Sequence, residues 1–192
     1  REGIVLRTHE RLWRSDRRSN GIAQSLHSLP PDKVRNSPYL PLKELEKFIK
    51  LVELVQSQGG TVVAHNAKFD WRMLKQTSLN SGGKLKVLDH LDLPFCTRFL
   101  LRYVSEDDRG DTCANGDVYR KIEGPELGEM HNALVDARAT TFIYFYGQQK
   151  GWWTQAAKAF AEKQAAKKAR KQRGEIREDN DSASEDDEGG GK

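Results

Sequence analysis

The sequence predicts an α/β domain, a sheet flanked by helices, followed by a basic helix and an acidic tail. Short β-branched runs alternate with segments whose apolar residues recur every three or four positions, the pattern of strands interleaved with helices. No internal repeat of about 20–50 residues replaces that pattern with a solenoid. Charge order then sets the C-terminal segments apart from the rest.

Residues 3–13, GIVLRTHERLW, place Val5, Leu12 and Trp13 among β-formers and read as a strand. RSDRRSN at 14–20 is a turn or loop. From 21 to 41, Pro30, Pro31, Pro38 and Pro41 leave room only for short helical turns. Pro41 suits a helix start. Leu42, Leu45, Phe48, Ile49, Val52 and Val55 then follow at amphipathic spacing, and Gly59-Gly60 ends the helix. TVVAH at 61–65 is a short buried strand, and FDWRML opens a helix carrying Phe69, Met73 and Leu74. KLKVLDHLDL at 84–93 is expected to hold another short strand. Pro94 is expected to start a helix with Phe95, Phe99, Leu100 and Tyr103. Residues 105–118 are acidic, glycine-containing and poor in apolar residues, hence a loop. HNALVDARATTFIYFYGQQ at 131–149 reads as a helix from about Asn132, and an Ala/Lys/Gln-rich helix runs from about Trp152 to Arg173.

The 192 residues are 36% hydrophobic and 31% charged, enough for one domain with appendages. Their net charge of +4 hides an asymmetry. Residues 155–177 hold eight Lys/Arg against Glu162 and Glu175, whereas 178–192 hold seven acids against Lys192. The expected organisation is a domain over 1–149, a basic helical extension over 150–177 and a disordered acidic tail over 178–192. A basic segment of this kind suits a polyanion such as nucleic acid; the plainer reading is a solvated terminus. Cys96 and Cys113 have no CxxC partner, which argues against a zinc framework and favours a reducing, intracellular setting. No apolar run approaches the roughly 20 residues that span a bilayer.

Two units draw attention. HNAKFDWRML at 65–74 and HNALVDARAT at 131–140 each place a histidine five positions ahead of an aspartate. An aspartate in the first helical turn after a strand, as Asp70 is expected to be, projects from the carboxyl end of a sheet, where α/β folds build their sites. Asp136 falls one turn past His131. Hard cations such as Mg²⁺ take carboxylate and phosphate oxygens, and a histidine with pKa near 6.5 can accept a proton from water at neutral pH. Two such ions about 4 Å apart can clamp the attacking and leaving oxygens of a phosphodiester. Asp70, Asp136 and His131 are three parts of such a site. Any one of these residues alone would more often be a helix cap or an ordinary hydrogen-bonding group.

Together the stretches resemble the second and third motifs of the DEDDh 3′–5′ exonucleases, the DnaQ-like branch of the ribonuclease H-like fold. The second motif, HNxxFD, is matched by His65, Asn66, Phe69 and Asp70. The third, HxAxxD, is matched by His131, Ala133 and Asp136. SLHSLPPDKVRNSPYLPLKELEKF and VLDHLDLPF resemble segments that flank the second motif in that family, so the resemblance covers roughly residues 1–149. It implies a ribonuclease H-like mixed sheet and two Mg²⁺ or Mn²⁺ ions. Asp70 and Asp136 would be metal ligands, His131 the general base, and His65, Asn66 and Phe69 would lie on the substrate side. The partner would be the 3′ end of DNA or RNA.

The family's first motif, Asp-x-Glu on the opening strand, is not near the N-terminus: Glu2, Glu10 and Asp16 are the acids before Asp32. The expectation is that this motif and its strand lie upstream of Arg1, or that the domain lost them, and that this chain alone is inactive. The competing functions are a nucleic-acid-binding module of the same fold without catalysis, and a protein-interaction domain whose basic tail makes the nucleic-acid contact. SEDDRGDTCANGDVYRKIEGPELGEM at 105–130 reads as a surface loop in preference to a substrate-shaping insertion. Trp152 and Trp153 read as a cover for the core in preference to a base-stacking platform. KKARKQR at 167–173 resembles a nuclear-import or RNA-contacting patch, which would place the protein in the nucleus.

Overall fold

A computed structural model of the chain describes residues 10–15, 29–125 and 132–173. Most of the strand expected over 3–13, His131 and the acidic tail at 178–192 lie outside them. The described residues form an α/β arrangement dominated by helices. In chain order these are α1 (Pro31–Arg35), α2 (Pro41–Ser57), β1 (Val63–Ala64), α3 (Ala67–Asn80), β2 (Phe95–Cys96), α4 (Thr97–Leu101), α5 (Glu106–Arg109), α6 (Asn115–Glu123), α7 (Ala133–Lys150) and α8 (Trp152–Gln172).

β1 and β2 pair in parallel, Val63 opposite Phe95 and Ala64 opposite Cys96. Parallel strands need a crossover, and α3 lies within it. Trp13 adds an isolated parallel bridge to Tyr39. Two apolar clusters hold the helices. In the first, Leu45, Ile49 and Val52 form the buried stripe of α2 and meet Trp71 of α3 and Leu88. In the second, Leu101, Val104, Val118 and Ile143 meet Trp152, Trp153 and Ala156. The first two turns of α8 are therefore core, and the tryptophan pair covers it as expected. A Cβ on Gly147 would come within 2.3 Å of the Trp153 ring, so α7 has glycine where α8 presses closest.

Three expectations need correction. Residues 85–90 form successive turns, not a strand. Only Leu88 among them is fully buried, and the carbonyl groups are met locally: Ser78 Oγ donates to Lys84 O and Leu91 N–H to Leu88 O. The helix expected at Pro94 begins instead at Thr97, because Phe95 N–H donates to Val62 O at 2.8 Å and joins the sheet. The loop expected over 105–118 contains α5 and the start of α6. Ser105 caps α5 by accepting from Asp108 N–H, buried Arg109 ties its end to Val104 O and Gly110 O, and Val118 anchors α6 in the core. Among the described residues, no helix is long and apolar enough to cross a membrane.

Candidate functional site

The carboxyl end of β1 runs directly into the first of the two sequence units. After Val63-Ala64 the chain turns through His65 and Asn66 into α3, and Asp70 sits in the helix's first turn with its N–H donating to Asn66 O at 3.0 Å. The second unit repeats the arrangement on α7. Asn132 is the N-cap, its side-chain oxygen accepting from Leu134 N–H (3.0 Å) and Val135 N–H (3.3 Å), which satisfies orphan donors of the first turn. Asp136 follows in that turn.

Both units open onto one cleft of about 770 Å³. Val63, Ala64, His65, Asn66 and Asp70 form one part of its lining; Ala133, Asp136, Ala137, Thr140 and Thr141 of α7 form another; Ala114 and, from α6, Asn115, Gly116, Asp117 and Arg120 complete it. Asn115 Nδ2 and Thr140 Oγ1 both donate to the carbonyl of Asp136, at 2.8 and 2.9 Å, so α6 is latched to α7 beside that aspartate.

His65 is spent on structure. Its Nε2 lies 2.9 Å from the carbonyl of Cys113, which can only accept, so Nε2 carries the proton and Nδ1 accepts from the Thr97 hydroxyl at 2.9 Å. Burial lowers its pKa to about 4; the bond to Cys113 works against that shift and the nearby Arg98 charge adds to it. The neutral ring thus ties the β1–α3 turn to α4 and to the segment entering α6. For Asp70, loss of hydration pushes the carboxyl above its usual pKa, more than the backbone hydrogen bond at Asn66 pulls it down.

Of the residues expected at a site, Asp70, Asp136, Asn66 and His65 line this cleft. Phe69 does not line it: its ring is 46% exposed, with the Arg72 guanidinium 5.6 Å from its centroid. His131 lies outside the described residues. Asn115, Asp117, Arg120, Thr140 and Thr141 were not anticipated. The Val118, Tyr119 and Ile122 spacing was the available signal for α6.

No family model, curated protein or solved structure matches this chain. The fit to a metal therefore rests on donor chemistry. Among the described residues, neither the Asp70 nor the Asp136 carboxylate has a cationic side-chain partner. Carboxylates of this kind are the donor type that a hard divalent ion takes, with water and phosphate oxygens filling the rest of its shell. Among the described residues, no group of three or more His, Cys, Asp or Glu side chains is arranged around a common point.

Proposed function

We propose that the cleft binds a divalent cation, Mg²⁺ or Mn²⁺, together with the 3′ end of a nucleic-acid strand, as part of a 3′–5′ exonuclease domain of the DEDDh type on a ribonuclease H-like framework. The observation that supports this reading is the meeting of Asp70 and Asp136 in one cleft, although they come from separate sequence units. A bound cation would neutralise phosphate charge. Asp70 and Asp136 would hold it, Asn66 would offer an amide to the substrate at the same lip, and His131 would take the proton from the attacking water.

A second reading is a nucleic-acid-binding module without hydrolysis. It is favoured by the two units bringing two of the four carboxylates that the resembled family uses. Mn²⁺ binding to the chain, followed by release of mononucleotides from a 5′-labelled oligonucleotide, separates the readings. Asp70→Ala and Asp136→Ala should each abolish metal binding. His131→Ala should keep it and, where cleavage occurs, slow it by roughly 10²–10⁴-fold. Metal-dependent oligonucleotide binding without cleavage favours the second reading. Mn²⁺ affinity that is unchanged in both aspartate variants overturns both.

A further inference from the structure

Among the described residues that line the cleft, Arg120 is the only lysine or arginine. It belongs to neither sequence unit and stands on α6, in a stretch whose sequence reads as loop. Its side chain is 49% exposed, and its Nη2 donates to Asp117 Oδ1 one turn earlier on the same helix. Asp117 Oδ2 in turn accepts from the Thr112 hydroxyl at 2.7 Å, which fixes the carboxylate. A guanidinium carries five N–H donors, and the bond to Asp117 uses one.

The base of Arg120 is held firmly. Asn115 latches α6 to the Asp136 carbonyl, Val118 is buried in the second cluster, and His65 grips the carbonyl of Cys113 just before the helix. The cleft therefore combines two carboxylates lacking a cationic partner among the described residues with one guanidinium that is paired to Asp117 through a single N–H. That is the charge pattern of a cation-bound phosphate: oxygens for the metal and a planar fork for the anion.

We propose that Arg120 is the phosphate-binding residue of this cleft, receiving the phosphate of a nucleotide whose metal ion is held by Asp70 and Asp136. This rests on the cation-and-phosphate reading of the cleft, and the test keeps the two apart. Mn²⁺ binding is measured first, then binding of a nucleoside 5′-monophosphate, inorganic phosphate and the bare nucleoside in the presence of Mn²⁺. Variants are Arg120→Gln, Arg120→Lys and Asp117→Asn, each checked for an unchanged circular-dichroism melt.

Arg120→Gln is expected to bind Mn²⁺ as the wild type does and to lose about tenfold or more in monophosphate affinity, the loss expected for a charge-assisted pair. Arg120→Lys recovers part of it, since a point charge remains without the fork. Asp117→Asn removes a competitor for the guanidinium, so its monophosphate affinity should equal or exceed the wild type, an outcome a purely structural pair would not produce. Inorganic phosphate that follows the same ranking identifies free phosphate as an additional ligand of the same residue. A ranking seen only with the monophosphate assigns the site to nucleotides. The proposal is overturned if Arg120→Gln keeps wild-type monophosphate affinity, if the bare nucleoside loses as much, or if Asp117→Asn weakens binding as Arg120→Gln does. Failure of Mn²⁺ to bind the wild type overturns the underlying reading instead.

Discussion

Trp71 and Trp153 are equally buried, each 6% exposed, yet they sit in differently finished surroundings. The Trp153 indole N–H donates to the Tyr144 carbonyl at 2.8 Å, and its ring meets Phe95, Tyr144 and Trp152 within an aromatic cluster. Trp71 meets Phe48 edge-on, and among the described residues its indole N–H is buried without an acceptor. A buried donor left unpaired costs roughly 1–3 kcal/mol relative to one that is bonded. Among the described residues, the cluster behind α7 and α8 thus has its buried indole donor satisfied, whereas the cluster behind α2 and α3 carries a polar group without a partner. Asp70 stands next to Trp71 in the chain, and Asp136 lies on the helix that packs against Trp153. The two sides of the candidate site rest on foundations of unequal quality.

The sharpest break in that comparison is at Trp153. Trp153→Ala should cost about 3–5 kcal/mol, the range for emptying a large aromatic site in a core. Trp153→Phe and Trp71→Phe test the finer point. The first forfeits the hydrogen bond from the indole to the Tyr144 carbonyl; the second removes a donor that has no acceptor among the described residues. Urea unfolding should therefore place Trp153→Phe below Trp71→Phe by about 1–2 kcal/mol. Equal losses would mean that the indole of Trp71 is as well served as that of Trp153.

Much of this contrast was legible in part. The α2 stripe of Leu45, Ile49 and Val52 follows from apolar spacing alone, and so does the run of α8 from Trp152. Asp70 and Asp136 could be singled out because each sits in a first helical turn behind a recognisable start. Arg120 could not. Its placement depends on Asn115 reaching the Asp136 carbonyl and on Val118 being drawn into a cluster with Ile143 and Trp153, contacts between segments distant in sequence. The turns at 85–90 were hidden for a related reason. Val87 and Leu88 have strand-like composition, but their neighbours Lys86 and Asp89 are exposed and the chain there meets no ladder partner among the described residues. Composition reports what a segment can be; the partner it meets decides.

His65 connects the two regions, and its titration gives the next largest effect. In the unfolded chain it gains a proton near pH 6.5, whereas in the fold burial holds that step down to about 4. Below pH 6.5 the unfolded state binds a proton that the native state refuses. The stability present above pH 6.5 is then lost as pH falls towards 4, by about 1.4 kcal/mol per pH unit and as much as about 3 kcal/mol in all. Denaturant unfolding at pH 7.5, 5.5 and 4.5 for wild type and His65→Gln reads this as a difference in slope, with the variant flatter. Parallel curves would show that the imidazole titrates normally and does not clamp Thr97 to Cys113.

The smallest effect distinguishes the Asp70 side by itself. A carboxyl whose folded pKa lies above its ordinary value near 3.8 opposes folding when ionised: its contribution is present below that value and is lost as pH rises through the folded pKa. Burial therefore disfavours the ionised form of Asp70 in the metal-free protein, beside the cluster whose Trp71 donor has no acceptor among the described residues. Asp70→Asn keeps the size of the side chain and removes the charge. Its metal-free melting temperature should rise slightly above wild type at pH 7, and the gap should close at pH 3, where both side chains are neutral. Adding Mn²⁺ should reverse the order, because only the wild type gains stability from an ion that binds the native state. A metal-free Asp70→Asn protein that melts below wild type at pH 7 would show that the carboxylate supports the fold. In that case the disadvantage of this side ends at the indole of Trp71.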